Sequence, residues 1–217
     1  MSDSNFKTNN LTFRELIGNG MTYSVPPFQR DYSWEIENWE ALWDDIIDSF
    51  KNNDKHYLGY LVLREIDEKT KQIIDGQQRI STLIFIALAA MNNLKKLSES
   101  GINSEKNNAR FNSIKTTYIG DTDLTTLIEK PHLILNYNND FYFRDQIIPL
   151  KPLSKNRLKE SEKRIAEGFK WFDKMVAEYI KDIAGDKGDA IATLIDKINR
   201  LMFFTVIEVS DELNAYK

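Results

Sequence analysis

A five-residue polar motif, Asp75-Gly76-Gln77-Gln78-Arg79, separates an apolar strand-like run from one of the most apolar helix-like runs in the chain. Glycine tolerates positive φ and lets a ligand approach the backbone, so Asp75-Gly76 predicts a sharp turn. The first backbone N–H groups of the helix that follows lack intrahelical partners, and the helix dipole adds partial positive charge there. The motif therefore predicts an anion site at this turn.

The side chains around this turn suit a nucleotide phosphate. Arg79 can supply a planar cation, and Gln77 and Gln78 can donate or accept hydrogen bonds. Asp75 can hold Mg²⁺ or bind a ribose hydroxyl. The candidate nucleotide-binding residues of this region are Asp75, Gly76, Gln77, Gln78, Arg79, Ser81 and Thr82.

An ordinary helix start is the competing interpretation of the same residues. Asp75 would cap the helix, Gly76 would make the turn, and the two glutamines and the arginine would be solvated. From the residues alone, the two interpretations are about equally favoured. The anion site gains support because the polar groups cluster at a junction that has core elements on both sides.

A second candidate block lies upstream, where Pro26 and Pro27 exclude a helix interior and favour extended backbone. If the extension continues, the strand period of two places one set of side chains on each side. One side would carry Phe28, Arg30, Tyr32 and Trp34, and the other would carry Gln29, Asp31 and Ser33. The arginine would then stand among three aromatic rings, either as a ligand-binding group or as a stem that covers an aromatic patch.

The elements around these two blocks follow from hydrophobic spacing. Ser33 is the predicted cap of a helix over residues 36–50, whose apolar side chains repeat at helical spacing. Residues 57–63 and 72–74 are β-prone runs joined by a polar stretch, which predicts a hairpin leading into the motif. Residues 80–91 predict a helix that is covered on all sides.

The rest of the chain has a less regular pattern. The first ten residues are polar and are expected to fray. Residues 92–112 are expected to hold the end of the preceding helix, followed by a mobile connection or a subdomain boundary. Residues 123–148 predict a small helix or strand, then a strand and a turn at Asn138-Asn139-Asp140. The other predicted elements are helices over residues 156–183 and 189–199, a strand over 201–209 and the opening of a helix over 210–217.

Composition excludes several classes of protein and site. The net charge of −4 argues against a surface that is basic throughout, and basic residues over 151–174 alternate with acidic ones as on a solvated helix face. The chain has no cysteine, and His56 and His132 lie far apart, so disulfides, thiolate sites and a histidine-based zinc site are excluded. No run approaches the roughly 18 consecutive apolar residues of a membrane helix, so we expect a soluble cytoplasmic protein with no membrane partner.

Separated blocks of sequence, in this order, carry a resemblance to a known family. They are VPPFQRDYSW at Val25 to Trp34, LWDDI at Leu42 to Ile46, YLG at Tyr57 to Gly59 and IDGQQRISTL at Ile74 to Leu83. The chain resembles the N-terminal domain of GmrSD-type modification-dependent restriction enzymes, whose fold is similar to the ParB and sulfiredoxin nucleotide-binding fold. The resemblance is strong over residues 11–91 and otherwise concerns the general layout and the closing residues 209–216.

This resemblance implies a fold of the α+β class and a function. A ParB/sulfiredoxin-like mixed sheet with helices would occupy residues 1–95, and a mostly helical subdomain with strands would occupy residues 96–217. The function would be nucleotide binding and hydrolysis within an anti-phage restriction system that acts on modified foreign DNA. The nucleotide loop would be Asp75 to Arg79, and the companion block would be Gln29, Arg30, Tyr32 and Trp34.

Two departures limit what this chain is expected to do by itself. Two isolated histidines cannot build an HNH nuclease site, so DNA cleavage would need an HNH-type nuclease domain or subunit in cis or in trans. The P-loop pattern is also absent, so any hydrolysis would use a different phosphate cradle.

Three hypotheses follow from the residues and the resemblance together. In the first, a nucleoside triphosphate binds at Gly76 to Arg79 with help from Arg30, and Asp75 and Arg79 are catalytic, Asp75 by holding Mg²⁺ or orienting water. In the second, the chain is a binding module without turnover that senses modified DNA or a nucleotide for a partner nuclease. In the third, the aromatic helix over residues 36–50 docks a partner. A homo-oligomer is compatible with each.

Overall fold

The computed structural model describes residues 6–122, 124–153 and 158–209. Within these ranges, a mixed sheet is covered by helices, which confirms the α+β fold class. The strands are β1 Phe6–Thr12, β2 Thr22–Ser24, β3 His56–Asp67, β4 Thr70–Asp75, β5 Gly120–Thr122, β6 Glu129–Pro131, β7 Leu133–Ile134 and β8 Met202–Val209. The helices are α1 Phe13–Ile17, α2 Ile36–Asn52, α3 Gln77–Glu99, α4 Ser104–Ile114, α5 Tyr137–Tyr142, α6 Glu160–Tyr179 and α7 Lys187–Leu201, with π-helical turns at Lys115–Ile119 and Phe143–Ile147.

The main sheet has the strand order β1-β8-β3-β4-β2-β7 in the described part of the chain. The predicted hairpin is confirmed, since β3 and β4 pair antiparallel and β4 leads into the motif. β8, at the position predicted for a strand, lies parallel to β3 and antiparallel to β1. β2 lies parallel to both β4 and β7. The strand that ends at the motif therefore lies inside the sheet.

The expectation that the first ten residues fray is wrong for residues 6–10, and residues 1–5 lie outside the described residues. Residues 6–10 belong to β1, which pairs with β8 from Phe6 opposite Val209 to Thr12 opposite Phe203. Most of β1 is exposed, as suits a polar edge strand that contributes backbone hydrogen bonds to an apolar neighbour. The division of the chain near residue 95 stays a prediction. β8 lies after this point in the sequence and pairs with β1 and β3, which lie before it.

Helix α3 is the core helix that the apolar run predicted, and it extends to Glu99. It is long and apolar enough to cross a membrane by length and composition, but 78% of its most apolar window is buried inside the fold. It packs against α4, α6 and α7. The end of this helix, predicted within residues 92–112, is confirmed, and the connection expected after it is mostly the helix α4.

Helices α2, α6 and α7 lie where helical spacing placed them. The cap of α2 differs from the prediction, since Glu35 holds that position and donates its N–H to Asn38 Oδ1 at 3.2 Å. Trp39 and Trp43 of α2 are buried, and Trp39 lies 6.3 Å from the Trp171 ring of α6. Both tryptophans of α2 therefore pack inside the fold, and docking of a partner on this helix stays a prediction.

Two predictions in the remaining segments have different outcomes. The turn at Asn138-Asn139-Asp140 is wrong, because these residues lie in α5. The helix opening predicted over 210–217 lies outside the described residues.

Candidate functional site

The motif forms the strand–turn–helix junction that its sequence predicts. β4 ends at Asp75, Gly76 is the N-cap of α3 with φ of 98°, and the helix begins at Gln77. A Cβ at Gly76 would lie 2.8 Å from Leu61 Cδ1 and 3.0 Å from the Tyr60 carbonyl oxygen, so both the conformation and the space require glycine. No side chain caps α3, so the interpretation of Asp75 as the cap is wrong.

Gln29 and Gln77 join the upstream block to the motif through their side-chain amides. Gln29 donates from Nε2 to the Ile74 carbonyl oxygen at 2.7 Å, which makes its Oε1 an acceptor. Gln77 donates from Nε2 to that Oε1 at 3.1 Å. The network therefore fixes the orientation of both amides and leaves Gln77 Oε1 as the remaining acceptor.

The Gln78 side chain binds backbone groups of the same upstream block. Its Oε1 accepts the Ser33 N–H at 2.9 Å, and its Nε2 donates to the Asp31 carbonyl oxygen at 3.1 Å. Gln77 and Gln78 are only 7% and 6% exposed, so neither is the solvated side chain of an ordinary helix start. Their amides act mainly as clamps between the two blocks, which leaves the start of the α3 backbone as the donor for an anion.

Tyr32 and Thr82 belong to a buried chain of hydrogen bonds. Trp39 Nε1 donates to the Tyr32 hydroxyl at 2.9 Å, and that hydroxyl lies 2.8 Å from Thr82 Oγ1. Thr82 in turn donates to the Gln78 carbonyl oxygen at 2.8 Å, so the Tyr32 proton points to Thr82. Burial raises the pKa of Tyr32 above its ordinary value. These two hydroxyls therefore position the motif from within the core.

The upstream block is not the extended strand over residues 28–34 that alternation predicted. A turn follows the prolines, with the Gln29 N–H donating to the Pro26 carbonyl oxygen at 3.0 Å. Tyr32 is buried, Trp34 is partly buried, and Phe28 and Arg30 are exposed, so the four side chains do not share one face. Arg30 has no ion-pair or hydrogen-bond partner within the described ranges and is available to a ligand.

Arg79 points toward β3. Its Nη1 donates to the Leu58 carbonyl oxygen, and a Cβ at Gly59 would overlap the guanidinium, so this glycine with φ of 97° makes room for it. Asp75 is exposed at the end of β4. One N–H of the guanidinium is used in this contact, and an arginine has five. Arg79 is therefore anchored to β3, and its other guanidinium N–H groups can still donate hydrogen bonds.

An asparagine segment that sequence reasoning missed closes the site from a third side. Asn136 donates from Nδ2 to the Gln29 carbonyl oxygen at 3.0 Å and to Asp31 Oδ1 at 2.7 Å. Asn139 Oδ1 accepts the Tyr32 N–H at 2.9 Å. A signal was available in the sequence, because polar side chains follow the apolar run 133–135 as they follow the run before the motif.

A small pocket lies where the three segments meet. It is lined by Val25, Arg30, Tyr32, Gln77, Gln78, Ser81, Leu135, Asn136 and Asn139. Its volume of about 10 Å³ holds about one water molecule, so a nucleotide cannot lie inside it. Asp75 and Arg79 do not line this pocket, although Gln77 and Gln78 between them do. A bound nucleotide would therefore lie across the opening beside Arg30.

The residues suit a metal ion only in combination with a ligand. Among the residues that the structure describes, no group of three or more histidine, aspartate or glutamate side chains is placed to hold one. Mg²⁺ commonly uses one or two carboxylates together with substrate phosphates and water. Asp75 fits that pattern as a single exposed carboxylate.

The chain was also compared with known proteins. The family model described as GmrSD restriction endonuclease, N-terminal domain, matches residues 12–217. No curated protein matches the chain.

Proposed function

The chain belongs to the GmrSD restriction endonuclease N-terminal domain family, which makes it a module of a restriction system, and we propose that it binds and hydrolyses a nucleoside triphosphate there. The observation that carries this proposal is the fixed amide network that joins Gln29 to Gln77 and Asp31 to Gln78. The network holds two blocks that are far apart in sequence around an uncapped helix start and an unpaired arginine. An ordinary helix start needs no such partner block.

The phosphates would bind at the first turn of α3. The helix dipole favours an anion there, and no side chain caps the helix. Arg30 would contact the phosphates from the upstream block, and Arg79 would use the guanidinium N–H groups that Leu58 leaves free. In this proposal, the two glutamines stabilise the site, and Arg30 and Arg79 contact the ligand.

Asp75 is the residue that would hold Mg²⁺ together with the phosphate oxygens. The bound cation would neutralise charge that develops on the phosphates. Asp75 is exposed beside the helix start and needs no rearrangement of the core to meet a ligand. Asp75 would also orient the attacking water.

Binding is tested by calorimetry with ATP, GTP and UTP on the wild type, Arg30→Ala and Arg200→Ala. Arg200 is a matched control because it is an exposed arginine of α7, whose ion pair is with Asp196 of the same helix. We expect Arg30→Ala to weaken binding by about tenfold, the usual size of one lost charge-assisted hydrogen bond, and Arg200→Ala to leave it unchanged. No binding to the wild type, or equal loss in both variants, would overturn the proposal.

Turnover is tested by release of inorganic phosphate with and without Mg²⁺. We expect Mg²⁺-dependent release that Asp75→Asn abolishes while nucleotide binding persists. Release that continues in Asp75→Asn would remove this residue from the reaction.

The second candidate function is a binding module without turnover. It is favoured because side chains of the motif bind the protein itself. Gln77, Gln78 and Arg79 all contact the protein itself, which suits a site that changes the position of the upstream block when a ligand binds. Such a module would sense a nucleotide or modified DNA and regulate an HNH-type nuclease domain or subunit. Nucleotide binding without phosphate release from the wild type would select this candidate.

A further inference from the structure

The asparagine segment carries an inference that deepens the proposed function and rests on it. The side-chain amide of Asn136 has one possible orientation, because both contacts of its Nδ2 are with acceptors, the Gln29 carbonyl oxygen and Asp31 Oδ1. Its Oδ1 must then be the other atom of the amide. That oxygen is buried and has no hydrogen-bond partner among the described residues, while the whole residue is 3% exposed.

A buried acceptor without a partner is costly and is uncommon in folded proteins. Asn136 lines the small pocket that Gln77 and Ser81 also line. Within the described ranges, no hydrogen bond involves the Ser81 hydroxyl, and Gln77 Oε1 is left free by the contact with Gln29. Three residues that line the pocket thus carry two acceptor oxygens without a partner in the described part of the chain and one hydroxyl that can donate or accept.

The size of the pocket restricts what can satisfy Asn136. A volume of about 10 Å³ admits about one heavy atom with its hydrogens. A phosphate is too large, and it carries no donor that could satisfy the Asn136 oxygen. A hydroxyl or an amino group has the right size and donates to an acceptor.

We propose that Asn136 is a specificity-determining residue, whose Oδ1 accepts a hydrogen bond from a hydroxyl or amino group of the nucleotide bound at the motif. The phosphates stay outside the pocket with Arg30, and one donor group of the sugar or the base enters it. The ribose hydroxyls and the exocyclic amino group of a purine share this chemistry.

The experiment compares nucleotides that differ by one donor. Calorimetry measures ATP, GTP, their 2′-deoxy and 3′-deoxy forms, ITP, which is GTP without its 2-amino group, and purine riboside triphosphate, which is ATP without its 6-amino group. For the wild type, we expect one of these changes to weaken binding by about tenfold, as the loss of a hydrogen bond to a buried acceptor does. Weaker binding of a deoxy form would identify a sugar hydroxyl as the donor. Weaker binding of an analogue without the amino group would identify the base as the donor.

Asn136→Ala then separates a ligand contact from a structural role. If Asn136 accepts from the ligand, the variant binds the full nucleotide and the analogue equally, because the acceptor that distinguished them is gone. If Asn136 only supports Gln29 and Asp31, the variant weakens all nucleotides by the same factor and the tenfold difference persists. Asn138→Ala is the matched control, because Asn138 also donates to Asp31 Oδ1, at 3.2 Å, but does not line the pocket.

Ser81→Ala keeps the test decisive if Asn136→Ala does not fold. Alanine fills nearly the same space, so the variant should fold, and loss of the hydroxyl on the same pocket should reduce the difference between nucleotide and analogue.

Equal binding of all nucleotides by the wild type is the outcome if only an ordered water binds Asn136. It would overturn this inference while leaving nucleotide binding intact. No nucleotide binding at all would overturn the proposed function and this inference with it.

Discussion

The two sides of the Asp75–Arg79 motif are built differently. On the side that faces the upstream block, Gln77 and Gln78 are buried and their amides bind the protein. On the side that faces β3, Asp75 is exposed and Arg79 has donors left after its contact with Leu58. The two glutamines in the middle of the motif therefore stabilise the fold. Asp75 and Arg79, at its two ends, remain able to contact a ligand.

The glycine that joins the two sides should give the largest change in stability. Gly76→Ala would place a methyl group against Leu61 and the Tyr60 carbonyl and would force alanine into positive φ, so we expect a loss of about 3 kcal/mol in the free energy of unfolding. Chemical denaturation measures this. Gly20→Ala is the control, since Gly20 also has positive φ but a Cβ there would meet nothing within 4 Å, and it should cost only about 1 kcal/mol. Equal losses would show that crowding at Gly76 is unimportant.

The inner side should respond mainly in stability. Gln78→Ala leaves the Ser33 N–H and the Asp31 carbonyl without their partner, so we expect a loss of about 2 kcal/mol. The same denaturation experiment measures it. A wild-type free energy of unfolding in Gln78→Ala would mean that the clamp does not hold the upstream block.

A smaller effect with a distinct pH dependence is expected for Tyr32→Phe. At neutral pH, the variant loses the acceptor of Trp39 Nε1 and should be less stable by about 1.5 kcal/mol. Burial raises the pKa of Tyr32 in the folded state, so the stability that the neutral phenol contributes is present below the unfolded pKa of about 10 and is lost as pH rises above it.

The wild type should therefore lose about 1.4 kcal/mol per pH unit from this residue above about pH 10, and Tyr32→Phe should lose less. Denaturation at pH 7, 10 and 11 measures the difference between the two proteins. A difference that stays constant over this range would contradict the raised pKa.

The smallest change in stability is expected on the outer side. Asp75→Ala removes an exposed carboxylate, so the free energy of unfolding should change by no more than about 0.5 kcal/mol. A loss as large as that of Gln78→Ala would remove the contrast between the two sides.

Local pattern predicted the hairpin, the turn at Gly76 and the helices α2, α3, α6 and α7, because each depends on spacing or turn chemistry within a few residues. It failed for β1, which is held by β8 at the opposite end of the chain. It failed for the asparagines as well, because Asn136 meets Gln29 and Asp31 across more than a hundred residues. The local signal predicts a strand that ends at Asn136 and a turn at Asn138-Asn139-Asp140, whereas Asn136 is the N-cap of α5 and the other three residues lie in that helix.

The candidate site was predicted in part for the same reason. Residue types indicated a polar junction, but not which donors the protein itself would use. Gln77 and Gln78, which the sequence predicts to contact a ligand, bind the upstream block, and their contact with a ligand stays a prediction. The sequence also could not show that Arg79 would turn to Leu58, since that depends on the space left by Gly59 on a neighbouring strand.

The position of β8 has a consequence for how the chain folds during synthesis. This strand lies between β1 and β3, so the sheet cannot close until the ribosome has made residue 209. Until then, the apolar β3 edge beside the motif has no partner, and closing so long a loop is slow. The site should therefore be assembled late, after β8 has joined the sheet.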